Sequence, residues 1–166
     1  MSLVSGTADS IAAILTAVPN IGLVYKYDPF PSGDWASFVD EFTTTISGIE
    51  QVRAWTIKNI GRVTEPGTMS IGSEVQRPSL SWLIRGFLVV KNVATSDVTF
   101  RDLLEAVTEA LNTKRGLGGA PSILDHDLAD YSLPNNGELR LLGDVVCHYG
   151  EVTFTSHHEI TVATTL

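Results

Sequence analysis

Apolar positions at Ile11, Ile14, Leu15 and Val18 recur at i, i+3, i+4 and i+7, the spacing that lines one face of a helix. Thr7 is the expected N-cap and Pro19 the stop. Leu23, Tyr25 and Tyr27 then alternate with Val24 and Lys26, which predicts a strand, before Asp28 to Gly33 gathers the residues of a turn. Helical spacing returns at Trp35, Phe38, Val39, Phe42 and Ile46, with Asp34 placed to cap a second helix and Gly48 to stop it. Gln51 to Val63 is rich in β-forming residues and predicts a strand with an irregularity near Asn59. Thr64 to Pro78 has glycines, prolines and glutamates but no period, and predicts a long exposed connection.

Ser79 to Lys91 is apolar on both parities, as expected of a central strand covered on both faces, and Arg85 interrupts one of them. A third helix is the most fully specified element. Thr99 and Asp102 have the spacing of a capping box, with Val98 and Leu103 as its hydrophobic staple. Phe100, Leu103, Leu104, Val107 and Leu111 form the stripe, and Lys114, Arg115 and Gly116 suit the C-terminus. Gly118 to Gly137 reads as a second long connection. Two β-rich stretches follow, Glu138 to Tyr149 and Glu151 to Val162, divided or bent at Gly150. The order of elements predicts an α+β fold, a mostly antiparallel sheet with helices packed on it, as a single domain over residues 1–166.

Composition narrows the chemistry. The 166 residues are 43% hydrophobic, enough for a core without disulfide or metal. A net charge of -8 disfavours general nucleic-acid binding, which needs clustered Lys and Arg. The lone Cys147 excludes an intramolecular disulfide and any multi-cysteine zinc motif. No apolar run reaches the length of a membrane span, and the early stretch Ile11 to Val18 lacks the basic flank of a secretory signal.

Asp125, His126, Asp127 and Asp130 offer carboxylates and an imidazole within six residues, yet their spacing matches no calcium loop, and a solvated acidic loop is the simpler expectation. Cys147-His148 and His157-His158 are tempting as a metal or nucleophile set. On strands, neighbouring residues point to opposite faces, so each pair can give at most one member to a site. Gly-x-Ser-x-Gly, Walker A and Gly-x-Gly-x-x-Gly motifs are absent, and the Gly116 to Gly119 cluster follows a helix rather than preceding one. Neither a catalytic residue nor a cofactor or metal is implied. The enzymatic alternative is a small intracellular enzyme or ligand-binding domain using the Asp125 to Asp130 loop and one of His148, His157 or His158.

Charge is unevenly distributed. Residues 1–49 carry -4, residues 50–115 carry +2 and residues 116–166 carry -6. A self-complementary subunit would dock its basic middle, through Arg53, Lys58, Arg62 and Arg85, against the acidic end of its neighbour, where Asp125, Asp127 and Asp130 lie.

Three stretches carry a resemblance to a known class: Gly22-Leu23-Val24-Tyr25-Lys26-Tyr27 after the first helix, Trp82-Leu83-Ile84-Arg85-Gly86-Phe87, and the run from Phe100 through Leu117-Gly118-Gly119 to Cys147-His148-Tyr149-Gly150-Glu151-Val152. In this arrangement the chain resembles the phage tail-terminator and tail-completion proteins of the head-to-tail neck. The resemblance implies a non-enzymatic α+β subunit of the virion, assembled in the host cytoplasm. Such a subunit forms a homo-oligomeric ring, commonly a hexamer, that caps the tail tube protein and meets a head-proximal neck or connector protein. It implies neither sequence-specific nucleic-acid binding nor membrane association.

Overall fold

The computed structural model describes residues 2–27, 38–70, 73–90, 93–120, 122–133, 139–142 and 145–163. In chain order the elements are α1 (Leu3–Thr16), β1 (Leu23–Tyr25), α2 (Phe38–Phe42), β2 (Thr43–Ile46), β3 (Ile49–Ser70) and β4 (Ser73–Val89), followed by α3 (Val93–Thr113), β5 (Ile123–His126), β6 (Asp130–Ser132), β7 (Leu139–Leu142), β8 (Val145–His158) and β9 (Ile160–Ala163). The sheet runs β1-β3-β4-β8-β5, with β2 also on β3, β6 and β7 on β8, and β9 on β4. Every pairing is antiparallel except that of β1 with β3. The chain is thus sheet-dominated and broadly α+β, with three helices among the described residues.

Strand alternation sorts the side chains into two sets. Trp55 and Ile57 of β3, Leu80, Trp82, Ile84 and Leu88 of β4, and Val152 and Phe154 of β8 share a buried cluster with residues of α1 and α3. On the other side Ala54, Phe87, Cys147 and Tyr149 pack with Phe42 and Leu142. Burial on both parities of β4 matches its doubly apolar sequence.

Several elements differ from the sequence-based expectation. Ser2, not Thr7, caps α1 by accepting from Ser5 N–H at 3.1 Å, while Thr7 lies inside the helix and donates to Leu3 O at 2.9 Å. The second helix stops at Phe42, because the β-branched run Thr43 to Ile46 turns back on β3 through Ser47 and Gly48, both at positive φ (51° and 76°). This is the left-handed pair that a tight two-residue hairpin turn requires. Asp34, Trp35 and the turn Asp28 to Gly33 lie outside the described residues. α3 begins six residues before Thr99, which donates to Thr95 O as an interior residue. Val98 is exposed rather than stapled. The extra turns are held by Ser96, bonded to His148 Nε2 at 2.8 Å, and by the Asp97–Arg101 ion pair at 2.9 Å.

The expected connection Thr64 to Pro78 is instead the outer half of the β3–β4 hairpin, with Thr64 opposite Pro78 and Ser70 opposite Ser73. Ladder hydrogen bonds override the poor propensity of its prolines and glycine, since β4 gains a second partner there in β9. The irregularity near Asn59 is a bulge at Ile60, and Asn59 Nδ2 bridges it by donating to Gly61 O at 3.1 Å and Ser81 O at 3.0 Å. Within the second expected connection, β5 and β6 add to β8. β8 runs through Gly150 unbroken and ends near Glu159.

Two glycines face each other across β4 and β8, Gly86 and Gly150, and Trp55 lies opposite Gly86 on β3. A Cβ on Gly86 would sit 2.7 Å from the Trp55 ring, and one on Gly150 would sit 2.8 Å from Leu104 of α3. The pair therefore leaves a trough in the sheet where Trp55 and α3 settle against backbone. Trp55 stacks on Phe100 with centroids 6.4 Å apart, and its Nε1 donates to Ile21 O at 3.0 Å. Gly150→Ala should cost about 1–3 kcal/mol through overpacking and lower the melting temperature by several degrees, at about 2–4 °C per kcal/mol for this size. Gly116→Ala, which meets nothing within 4 Å, is the control expected to leave melting unchanged by calorimetry.

Candidate functional site

The four basic residues expected to form one docking patch do not share a surface. Arg53 is on the helix-covered side and buried, donating to Asn20 O at 2.7 Å and Gln51 Oε1 at 3.2 Å. Burial lowers its pKa, and its role is to tie β3 to the loop after α1. Arg85 emerges on the opposite side, 3.8 Å from Glu151. Glu151 also accepts from the Tyr149 hydroxyl, and Arg140 lies 3.7 Å over the Tyr149 ring. Burial first, then the bond to Glu151, pushes the Tyr149 phenol up to about 12. Lys58 and Arg62 are exposed along β3, Lys58 in the row of Leu83 and Arg62, beyond the bulge, in the row of Leu80 on the other side.

Asp125, Asp127 and Asp130 do lie near one another, at the β5–β6 edge. Asp125 is 3.3 Å from Arg115, and Asp130 accepts from Tyr131 N–H at 2.8 Å. Asp127 leads to the most chemically suggestive constellation of the chain. Its Oδ1 is 3.2 Å from His157 Nε2, and His157 Nδ1 is 3.0 Å from Ser79 Oγ. A hydroxyl, an imidazole and a carboxylate are hydrogen-bonded in a relay as in serine hydrolases, but the ring is reversed: there Nε2 meets the hydroxyl and Nδ1 the carboxylate, whereas here Nδ1 meets Ser79 and Nε2 meets Asp127. Ser79 was missed by sequence reasoning because no local motif marks it. It meets His157 only through the β4–β8 register, 78 residues away.

The surroundings of that relay are unlike a catalytic centre. The three side chains stand on the open side of the sheet, with Asp127 and His157 exposed by 64% and 36%. The apolar hollow of about 530 Å³ between α1 and α3, lined by Ile14, Val18, Ala110 and Leu117, involves none of them.

The other histidines are structural. His126 is fully buried, donates through Nδ1 to Arg115 O at 2.7 Å and meets Phe154 edge-on. His158 shares the Ser156 hydroxyl with Trp82 Nε1 at 2.8 and 2.9 Å. Adjacent residues do diverge: Cys147 packs in the cluster of Phe87 and Tyr149, whereas His148 stacks on Phe100 of α3. Burial pushes the Cys147 thiol up to about 12, leaving almost no thiolate at neutral pH to act as nucleophile or ligand. Among the described residues no three His, Cys, Asp or Glu side chains converge as a metal site would require, and no helix is long and apolar enough to cross a membrane.

Comparison with known proteins finds no family model that matches the chain and no curated protein that matches its sequence.

Desolvation depresses the pKa of His148, and Arg101 adds to this while Asp97 opposes it. A neutral His148 stabilises the fold fully above the ordinary histidine pKa of about 6.5, and the contribution is lost as pH falls through its lower folded value. Urea denaturation from pH 8 to 5 should show the loss, and His148→Gln should show a smaller one over the same interval.

Proposed function

We propose that the chain is a structural subunit of a tailed-phage neck, a tail-terminator or tail-completion protein that closes into a ring, commonly six-fold, on the tail tube protein and joins it to the head-proximal connector. The observation that carries this reading is the β3–β4 hairpin, whose pairing continues from Gly61 to Pro66 and, across a second register shift, from Met69 to Ser70, well past the helix-covered core, while residues 62–66 stay exposed. Ordering each residue costs about 1–2 kcal/mol in backbone entropy. An exposed arm returns little of that within one subunit, and contact with other subunits supplies the rest. The finer arrangement of α1 and α3 as a layer on a mostly antiparallel sheet belongs to the same reading, supported by their shared cluster with β3, β4 and β8. So does the acidic charge, which suits a ring that passes DNA without gripping it. Location in the virion and the absence of catalysis follow from the role. Electron microscopy of the purified protein should show closed rings, with light scattering giving an integral multiple of 17.9 kDa. A strictly monomeric protein at micromolar concentration would refute the proposal.

The Ser79–His157–Asp127 relay favours a second reading, a small hydrolase. A fluorophosphonate probe separates the two. The structural reading expects no labelling of Ser79, whereas stoichiometric labelling lost in Ser79→Ala and His157→Gln would establish the enzyme.

A further inference from the structure

The order β3-β4-β8-β5 leaves two edges. β3 pairs with β2 at residues 49–52 and, on the side away from β4, with β1 at residues 54–56; from Ile57 onward no described strand lies on that outer side. The opposite edge is formed by the short strands β5, β6 and β7 on β8. Unpaired N–H and C=O groups along such edges are a template for another strand.

The registers relate the two edges. Lys58 of β3 is opposite Leu83 of β4, Leu83 is opposite Thr153 of β8, and Thr153 is opposite Asp130 of β6. One transverse row thus begins on a lysine at one edge and ends on an aspartate at the other. A parallel row, beyond the bulge, runs Val63, Ser79, His157 and Asp125. Both lie on the open side of the sheet. Each edge also presents large apolar side chains to solvent, Ile60 (54%) and Val63 (65%) on β3 against Leu124 (57%) and Leu128 (68%) beside β5.

We propose that copies of this chain associate head to tail by sheet continuation, the outer β3 edge of one copy pairing with the β5–β6 edge of the next. The proposal rests on the ring reading and gives it an interface. Direction supports it: strands alternate along β3-β4-β8-β5, so a rotational repeat sets β5 beside the next β3 antiparallel, like the ladders within the subunit. A repeat that keeps the rows level sets Lys58 of one copy beside Asp130 of its neighbour, an opposite-charge cross-strand pair. Self-pairing of either edge is disfavoured, because it sets the segment that carries Lys58 and Arg62 against another of the same sign, or the segment of Asp125, Asp127 and Asp130 against another of its own sign.

Cysteine cross-linking tests the geometry, since the only native thiol, Cys147, is buried. Val63→Cys with Asp125→Cys in one chain should give, on mild oxidation, a ladder of disulfide-linked multimers, while a mixture of the two single variants should stop at dimers. Val63→Cys linking to itself would overturn the head-to-tail arrangement. Lys58→Glu should lower the association rate at least tenfold, and adding Asp130→Lys should restore it. Rings in the microscope without the ladder would overturn this interface and leave the ring. A ladder of open filaments would leave the interface and overturn ring closure. No association by light scattering and no cross-links would overturn both.

Discussion

The absence of two side chains decides where everything else goes. Gly86 and Gly150 stand opposite each other on the two central strands, and the floor they leave lets the Trp55 ring and α3 approach the backbone directly. Trp55 then links three parts of the chain: it stacks on Phe100 of α3, covers Gly86 of β4 and donates to the carbonyl of Ile21 after α1. Its neighbour in the sequence, Ala54, faces the second cluster of Phe42, Phe87 and Tyr149. Side-chain alternation at one point of β3 therefore commits both sides of the sheet, and a one-residue slip would exchange them.

What the sequence made legible was apolar periodicity. The stripe of α3 and the doubly apolar β4 are buried as their patterns required, because burial of one face or two is written directly in residue spacing. What it hid were features set by distant partners. Thr99 followed by Asp102 has the form of a helix start, yet Ser96 and Asp97 extend the helix backwards through His148 and Arg101. Thr64 to Pro78 has the composition of a loop, and only pairing with β4 and β9 makes its halves strands. Trp55 and Phe42 are apolar in the sequence, but nothing local to either shows that the first meets a glycine and the second ends its helix.

The candidate sites show the same division. Net charge along the chain separates a basic middle from an acidic end, but charge summed over a segment carries no information about which side of a strand each residue takes. Arg53 and Arg85 are of one sign, on adjacent strands, and on opposite sides of the sheet. One holds the carbonyl of Asn20 and the other faces Glu151. The aspartates, by contrast, were legible as a group because they are close in sequence and stay close in space. Ser79 and His157 became neighbours only through register, which no single-sequence pattern specifies.

The bulge at Ile60 acts as a phase switch. Inward of it, odd-numbered residues of β3 such as Trp55 and Ile57 turn toward the helices; outward of it, the pairing of Arg62 with Leu80 hands that side to the even-numbered ones as far as Pro66, where a second register shift intervenes. Asn59, by holding the Gly61 and Ser81 carbonyls, fixes the point of exchange. Loss of the extra residue would let Asn59 and Gly61 follow one another as a plain ladder with Arg62 still opposite Leu80, so a deletion at this point is absorbed without turning the arm over or altering a buried contact of Trp55. Descendants of such a chain thus have one position where a residue can be lost while the chemistry shown to neighbours and the fold that presents it are both conserved.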